Sequence, residues 1–280
     1  MLAIKANKFC IDEIIYSFMP RTQRRKMGKI KFKWIITILG LIIFISGSFI
    51  TLDLRRFFIA EKELRYDSPI YTYISKFLIV ILTIVLVFMI GNDGLNKRDT
   101  NILKFTYIFI ALADIALGLL KTPYLGIILF SIVQMALIYR NGAGLYSIIK
   151  NNGYKDFLGS LIINTVLSTI LLLLILSNII NNMLREKVLF YIMIFYAFLI
   201  SISLWTAVAN MSLKLSPKLN SRLTVIGMIS FILCDLNVGL SIALNKGTLW
   251  LIADSVIWIF YTAALTLIAL SGYSFIGDSP

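Results

Sequence analysis

The sequence predicts an all-α, polytopic membrane protein of about eight transmembrane helices, and three features predict it. Hydrophobic residues make up 59% of the 280 and charged residues only 15%, far from the balance of a soluble domain. Several apolar runs approach or exceed the roughly 20 residues a helix needs to span a bilayer. Turn-forming punctuation separates those runs: Asp67-Ser68-Pro69, Gly91-Asn92-Asp93-Gly94, Lys121-Thr122-Pro123, Asn151-Asn152-Gly153, Ser216-Pro217 and Asn245-Lys246-Gly247.

In chain order, the apolar runs place spans at 32–52, 70–90, 102–120, 122–139, 157–177, 188–209, 221–243 and 248–270. Several connections are only a few residues long, so neighbouring helices must pack as antiparallel hairpins. The chain divides into a basic N-terminal segment at 1–31, a transmembrane domain at 32–272 and a short tail at 273–280. Residues 1–26 differ in character from the rest of the chain, and Met27 is an alternative start. No cleavable signal peptide is expected, because the first apolar run is long and lacks a small-residue cleavage site.

Net charge is +13, which in a soluble protein would suggest nucleic acid. Here the position of the charge matters more than its total, and no nucleic-acid partner is expected. Nine of the 27 Lys and Arg residues fall at or before Lys33. The positive-inside rule reads that cluster as a cytoplasmic amino terminus able to touch anionic membrane lipid. With eight spans and both termini inside, inner segments carry 18 basic residues and outer loops 8, which supports that orientation. The abundance of isoleucine, asparagine and lysine points to an AT-rich bacterial genome, hence a bacterial cell membrane.

There is no histidine, which excludes histidine triads and histidine metal sites. Cys10 and Cys234 lie in a tail and in a span, so neither a disulfide framework nor a zinc-type spacing exists. No metal and no cofactor is expected.

Four ionisable side chains stand clearly within the apolar spans: Lys76, Asp114, Asp235 and Asp254. At 1.5 Å rise per residue, Lys76 lies about 6 Å outward of its span's midpoint, Asp114 and Asp235 about 4–5 Å, and Asp254 about 7–8 Å. An intramembrane charge is costly and by default functional. Lys76 or Asp254 alone reads more readily as structural, snorkelling or pairing, but the shared depth predicts one polar cavity, with Lys76 as counter-ion to the acids. Asp254, Trp258 and Tyr261 share a helix face by i, i+4, i+7 spacing, and Ala111, Asp114 and Gly118 share another. Small residues beside the acid would allow close helix approach. In isolation the aromatics read as packing. Gln134, the only glutamine in any span, reads as an interhelical hydrogen-bonding partner or as cavity wall.

Asp114 and Asp235 recur in one frame, Asp-x3-Gly-Leu, with Gly118-Leu119 and Gly239-Leu240 following them. The two acids are 121 residues apart, in spans running the same way. The recurrence suggests two parallel four-helix repeats.

The chain resembles the YhhN-like family, which contains the vertebrate lysoplasmalogenases. The resemblance covers about 30–272 and rests on Lys76, on Asp114 with its small neighbours, on Gly126-x3-Phe130 and on Phe231-x3-Asp235. Its most specific part is Trp258-Ile259-Phe260-Tyr261 running into Leu267-Ile268-Ala269-Leu270-Ser271. Ala113 stands where relatives commonly carry Ser or Gly, Cys234 where they commonly carry Ser, and Gln134 where many carry His. The resemblance implies an eight-helix enzyme that cleaves the vinyl-ether bond of lysoplasmalogens to a fatty aldehyde and a glycerophospho-base. It places the catalysis on Asp114 and Asp235, with Lys76, Gln134, Asp254, Trp258 and Tyr261 binding substrate or supporting the pair.

The residue types suit that chemistry. Vinyl-ether hydrolysis begins with protonation of the β-carbon, giving an oxocarbenium ion that water attacks. One carboxylic acid supplies the proton, and a second carboxylate stabilises the cation and activates water. Which aspartate plays which part stays open at this stage. The partner is then a lysophospholipid or similar single-chain lipid, whose phosphate Arg55, Arg56 or Arg65 would meet. The competing reading is a non-catalytic lipid-binding protein or a proton- or cation-coupled transporter, since midplane charges and repeats occur in both.

Overall fold

Apolar runs with no proline in their interiors have no alternative in lipid to satisfying every backbone group within a helix. The computed structural model describes residues 29–56, 58, 70–145, 162, 166, 187–244 and 247–274. Its helices are α1 (Lys29–Arg56), α2 (Ile70–Ile90), α3 (Lys97–Gly118), α4 (Pro123–Asn141), α5 (Lys187–Ser212), α6 (Lys218–Ala243) and α7 (Thr248–Leu270), with a 3₁₀ turn at Gly91–Asp93. Six of these seven are long and apolar enough to cross a membrane, and α2 adds an apolar stretch over Ile74–Ile90 that falls just short. The chain is an all-helical, integral, multi-pass membrane protein. The expected span at 157–177 lies outside the described residues, apart from positions 162 and 166, as do most of the N-terminal segment and the tail.

Helix ends follow local chemistry. Asn96 caps α3, its side chain accepting from the Asp99 N–H at 2.8 Å. Pro123 opens α4 at a position where its missing N–H costs nothing. The four-residue α3–α4 turn is held by Thr122, whose N–H and Oγ1 both donate to the Ala116 carbonyl. The first helix runs on through Arg56, so Arg55 and Arg56 are helical rather than part of a loop.

Packing follows chain order and then closes. Each helix from α2 to α6 packs on the next, α6 packs most extensively on α7, and α7 returns to α2. These six form a ring, and α1 lies in the groove between α2 and α7. In this order α3 stands opposite α6, as the repeated Asp-x3-Gly-Leu frame requires if the halves turn about the ring's axis. Outward faces carry large apolar side chains at helical spacing, such as Leu78, Ile81, Val85 and Phe88 on α2, the surface a bilayer solvates. The interior is filled by Leu86, Leu103, Tyr107, Leu137, Met228 and Leu265.

Opposite the end where α3 meets α4, the bundle is tied by buried polar groups. Arg140 grips Asp99 through Nε and Nη2 at 2.7 and 3.2 Å and donates to Ser271 Oγ at 2.9 Å. Asn220 Nδ2 donates to the Ser271 and Tyr273 carbonyls, and Asn210 Nδ2 to the Asn141 carbonyl. The knot joins all the ring helices except α2.

Candidate active site

A cavity of about 370 Å³ opens within the ring toward the α3–α4 turn. Its wall is apolar for the most part, drawing Phe77, Leu117, Phe130, Met193 and Ile257 from five helices. Asp114 of α3 and Asp235 of α6 both line it, with Lys76, Trp258 and Tyr261. Cys234, next to Asp235 in the chain, lies within electrostatic reach of both carboxyls, as does Tyr261.

Each aspartate has its own phenol. Tyr261 Oη donates to Asp114 Oδ2 at 2.7 Å, and Tyr196 Oη to Asp235 Oδ2 at 2.6 Å. A hydrogen bond to a buried carboxyl offsets part of the cost of removing it from water. Tyr196 escaped the sequence reading because a tyrosine in an apolar helix is unremarkable there: Tyr191, five residues earlier on the same helix, is 68% exposed.

The ring's aromatic residues fix Tyr261. Its ring packs edge to face on Trp258, Phe231 and Phe130, with centroids 5.3, 6.0 and 6.4 Å away. Gly126, one turn before Phe130, makes room for a neighbouring side chain. A Cβ at 126 would stand 2.3 Å from Leu117 Cδ2, so the missing side chain lets Leu117 turn between α3 and α4. At Gly118 the expectation of close helix approach is corrected. Nothing lies within 4 Å of a Cβ built there, and the residue lines the cavity, so its smallness makes room.

Lys76 lines the same cavity but is not placed as counter-ion to the two acids. Its Nζ lies 4.8 Å from the Trp258 ring centroid and 5.1 Å from that of Phe49, the geometry of a cation on aromatic faces. The charges acting on it are those of Asp254, Asp53 and Arg56.

Asp254 is not brought to the cavity. Arg56 Nη1 bridges Asp254 Oδ2 and Asp53 Oδ1 at 3.0 Å each, and its guanidinium lies 5.7 Å from the Trp250 ring centroid. Arg56 is only 4% exposed and committed to these acids, so the expectation that it meets a phosphate is corrected. Arg55 is exposed on the outside of α1, and Arg65 lies outside the described residues.

Gln134 stands behind the cavity wall rather than in it. It is 0% exposed, and its carboxamide lies beside the Tyr196 hydroxyl without completing a hydrogen bond of good geometry at either Nε2 or Oε1.

The YhhN family model matches residues 71–272. The chain belongs to the YhhN family. No curated protein and no solved structure matches it. The family match begins at α2, so the six-helix ring and both aspartate–tyrosine pairs lie within it. Asp53, Arg56 and the rest of α1 lie outside.

Proposed function

We propose that the cavity hydrolyses the vinyl-ether bond of a lysoplasmalogen-type lysophospholipid, with Asp114 and Asp235 as the acid–base pair. The observation that carries this reading is two carboxyls from opposite helices lining one apolar cavity, each engaged by its own tyrosine. YhhN membership supports it at the level of the family. The volume is in the range of small-ligand pockets and suits a single acyl-type chain better than two.

In the reaction one carboxylic acid gives its proton to the β-carbon of the vinyl ether. The double bond's electrons form the new C–H bond, and the positive charge rests on the α-carbon and ether oxygen. The facing carboxylate stabilises that cation, then removes a proton from the water that attacks the α-carbon. The hemiacetal collapses to a fatty aldehyde and the glycerophospho-base. Apolar walls exclude bulk water and hold the chain. With both termini cytoplasmic, the cavity's mouth faces the outer side of a bacterial cell membrane.

Lipid binding without catalysis, or proton- or cation-coupled transport, is the alternative. A transport path must open at both ends, and the Arg140–Asp99 knot with the packed core above it favours a one-ended pocket. The deciding experiment is aldehyde release from lysoplasmalogens by purified protein in detergent, beside Asp114→Asn and Asp235→Asn. Release that either substitution abolishes in a folded protein is expected. No release across several head groups would overturn the hydrolase reading.

A further inference from the structure

The two carboxyls resemble each other in burial and in having a phenol donor, but the second layer around them differs. An acid–base pair of the kind proposed holds one proton between its two carboxyls. Which side keeps it depends on the donors behind each phenol.

On the Asp235 side, the Tyr196 hydroxyl spends its only proton on Asp235 Oδ2. Its oxygen can then only accept, so the carboxamide beside it must turn Nε2 toward it. Gln134 is fully buried with both polar atoms otherwise unfilled. A short closing movement therefore gains the amide a bond that nothing else among the described residues offers. The result is a chain of donors, Gln134 N–H to Tyr196 O–H to Asp235, in which each bond polarises the next and favours negative charge at the end. On the Asp114 side the chain stops at one donor. The Tyr261 hydroxyl receives no hydrogen bond among the described residues, and its ring is enclosed by Trp258, Phe231 and Phe130.

We infer that Asp114 carries the catalytic proton and Asp235 is the carboxylate, and that Gln134 is the positioning residue that sets this difference through Tyr196. The roles named here rest on the hydrolase reading. In that reaction Asp114 keeps Oδ2 as acceptor from Tyr261 and delivers its proton from the other oxygen to the β-carbon. Asp235 holds Oδ2 against Tyr196 and uses its other oxygen on the cation and on water. Lys76 and Cys234 are the remaining titratable groups besides the two tyrosines on this wall.

The test is infrared spectroscopy of the carboxyl region on full-length protein in detergent, with isotope-labelled aspartate and no substrate. The wild type should show a protonated carboxyl band that Asp114→Asn loses and Asp235→Asn retains. Tyr261→Phe should shift the band and leave it single, while Tyr196→Phe, which takes the donor from Asp235, should move intensity to a second site; these two variants keep the inference testable if an aspartate variant fails to fold. Gln134→Met, which keeps the volume but removes both polar atoms, should split the band between two sites. Gln134→His, which restores an N–H donor, should leave it single. A band lost in Asp235→Asn and kept in Asp114→Asn, reduced equally in both, or absent from the wild type would overturn the assignment. The spectrum needs no turnover. A pattern as expected with no aldehyde released would therefore overturn the hydrolase and leave the proton's location standing.

Discussion

Tyr261 reaches from α7 to Asp114 on α3, its hydroxyl donating to Oδ2 at 2.7 Å, although the two helices are not neighbours in the ring. Two turns along the same pair of helices Tyr107 makes a second such link, donating to the Leu265 carbonyl. On the proposed reaction the first bond holds a reacting group, and the second ties the two helices. Tyr261→Phe removes only the hydroxyl. A hydrogen bond to a carboxyl contributes about 1.5–3 kcal/mol, so kcat should fall roughly 10–100-fold with KM and thermal stability little changed. Steady-state aldehyde release and a melting curve in detergent check it. A lower melting temperature with unchanged kcat would make Tyr261 a structural tie.

Gly118 and Gly126 should respond to a side chain to different degrees. Gly118→Leu places its bulk in the cavity, where nothing stands within 4 Å, and should abolish lipid binding while the protein stays folded. Gly126→Ala pushes Leu117, a half-exposed side chain on the cavity wall, out of its place, and should weaken lipid binding without abolishing it. Binding of a non-hydrolysable ether lysolipid, measured with thermal unfolding, separates the two.

Arg140 holds Asp99 with both side chains largely buried. Arg140→Met leaves that carboxylate without its partner and should cost about 3–5 kcal/mol of stability. The double variant Arg140→Met with Asp99→Asn should recover part of the loss, since it removes the stranded charge. Melting of the three proteins in one detergent measures this, and equal losses in single and double variants would refute it.

Arg56→Gln should lower stability by a similar route, by releasing Asp53 and Asp254. The affinity for an anionic lysolipid should stay the same. A weaker affinity in a folded Arg56→Gln protein would return Arg56 to the role of phosphate contact.

The described helices were legible in the sequence because the bilayer imposes one period and one length on all of them. Asp114 and Asp235 were legible for a related reason: in an apolar run a single carboxylate stands out whatever surrounds it. What distance along the chain does not contain is rotation. Asp254 has nearly the depth of the other acids, and Trp258 and Tyr261 on its own face do line the cavity. One turn further out, however, α1 lies against α7, and its Arg56 takes the carboxylate. Tyr196 and the buried Arg140–Asp99 pair were missed for a second reason. Their importance comes from partners on other helices, 39 and 41 residues away, and no local spacing encodes that.

The knot of Arg140, Asp99, Asn220 and Ser271 also constrains traffic. It lies about 22 Å along α3 from Asp114, taking 15 residues at 1.5 Å each. Among the described residues the knot closes that end, so a chain that enters tail-first from the mouth would leave the same way. On the proposed hydrolysis the water-soluble product can diffuse off, while the long-chain one must back out past the carboxyls into lipid. Occupancy by that slower molecule, rather than bond cleavage, would then set the pace of repeated cycles.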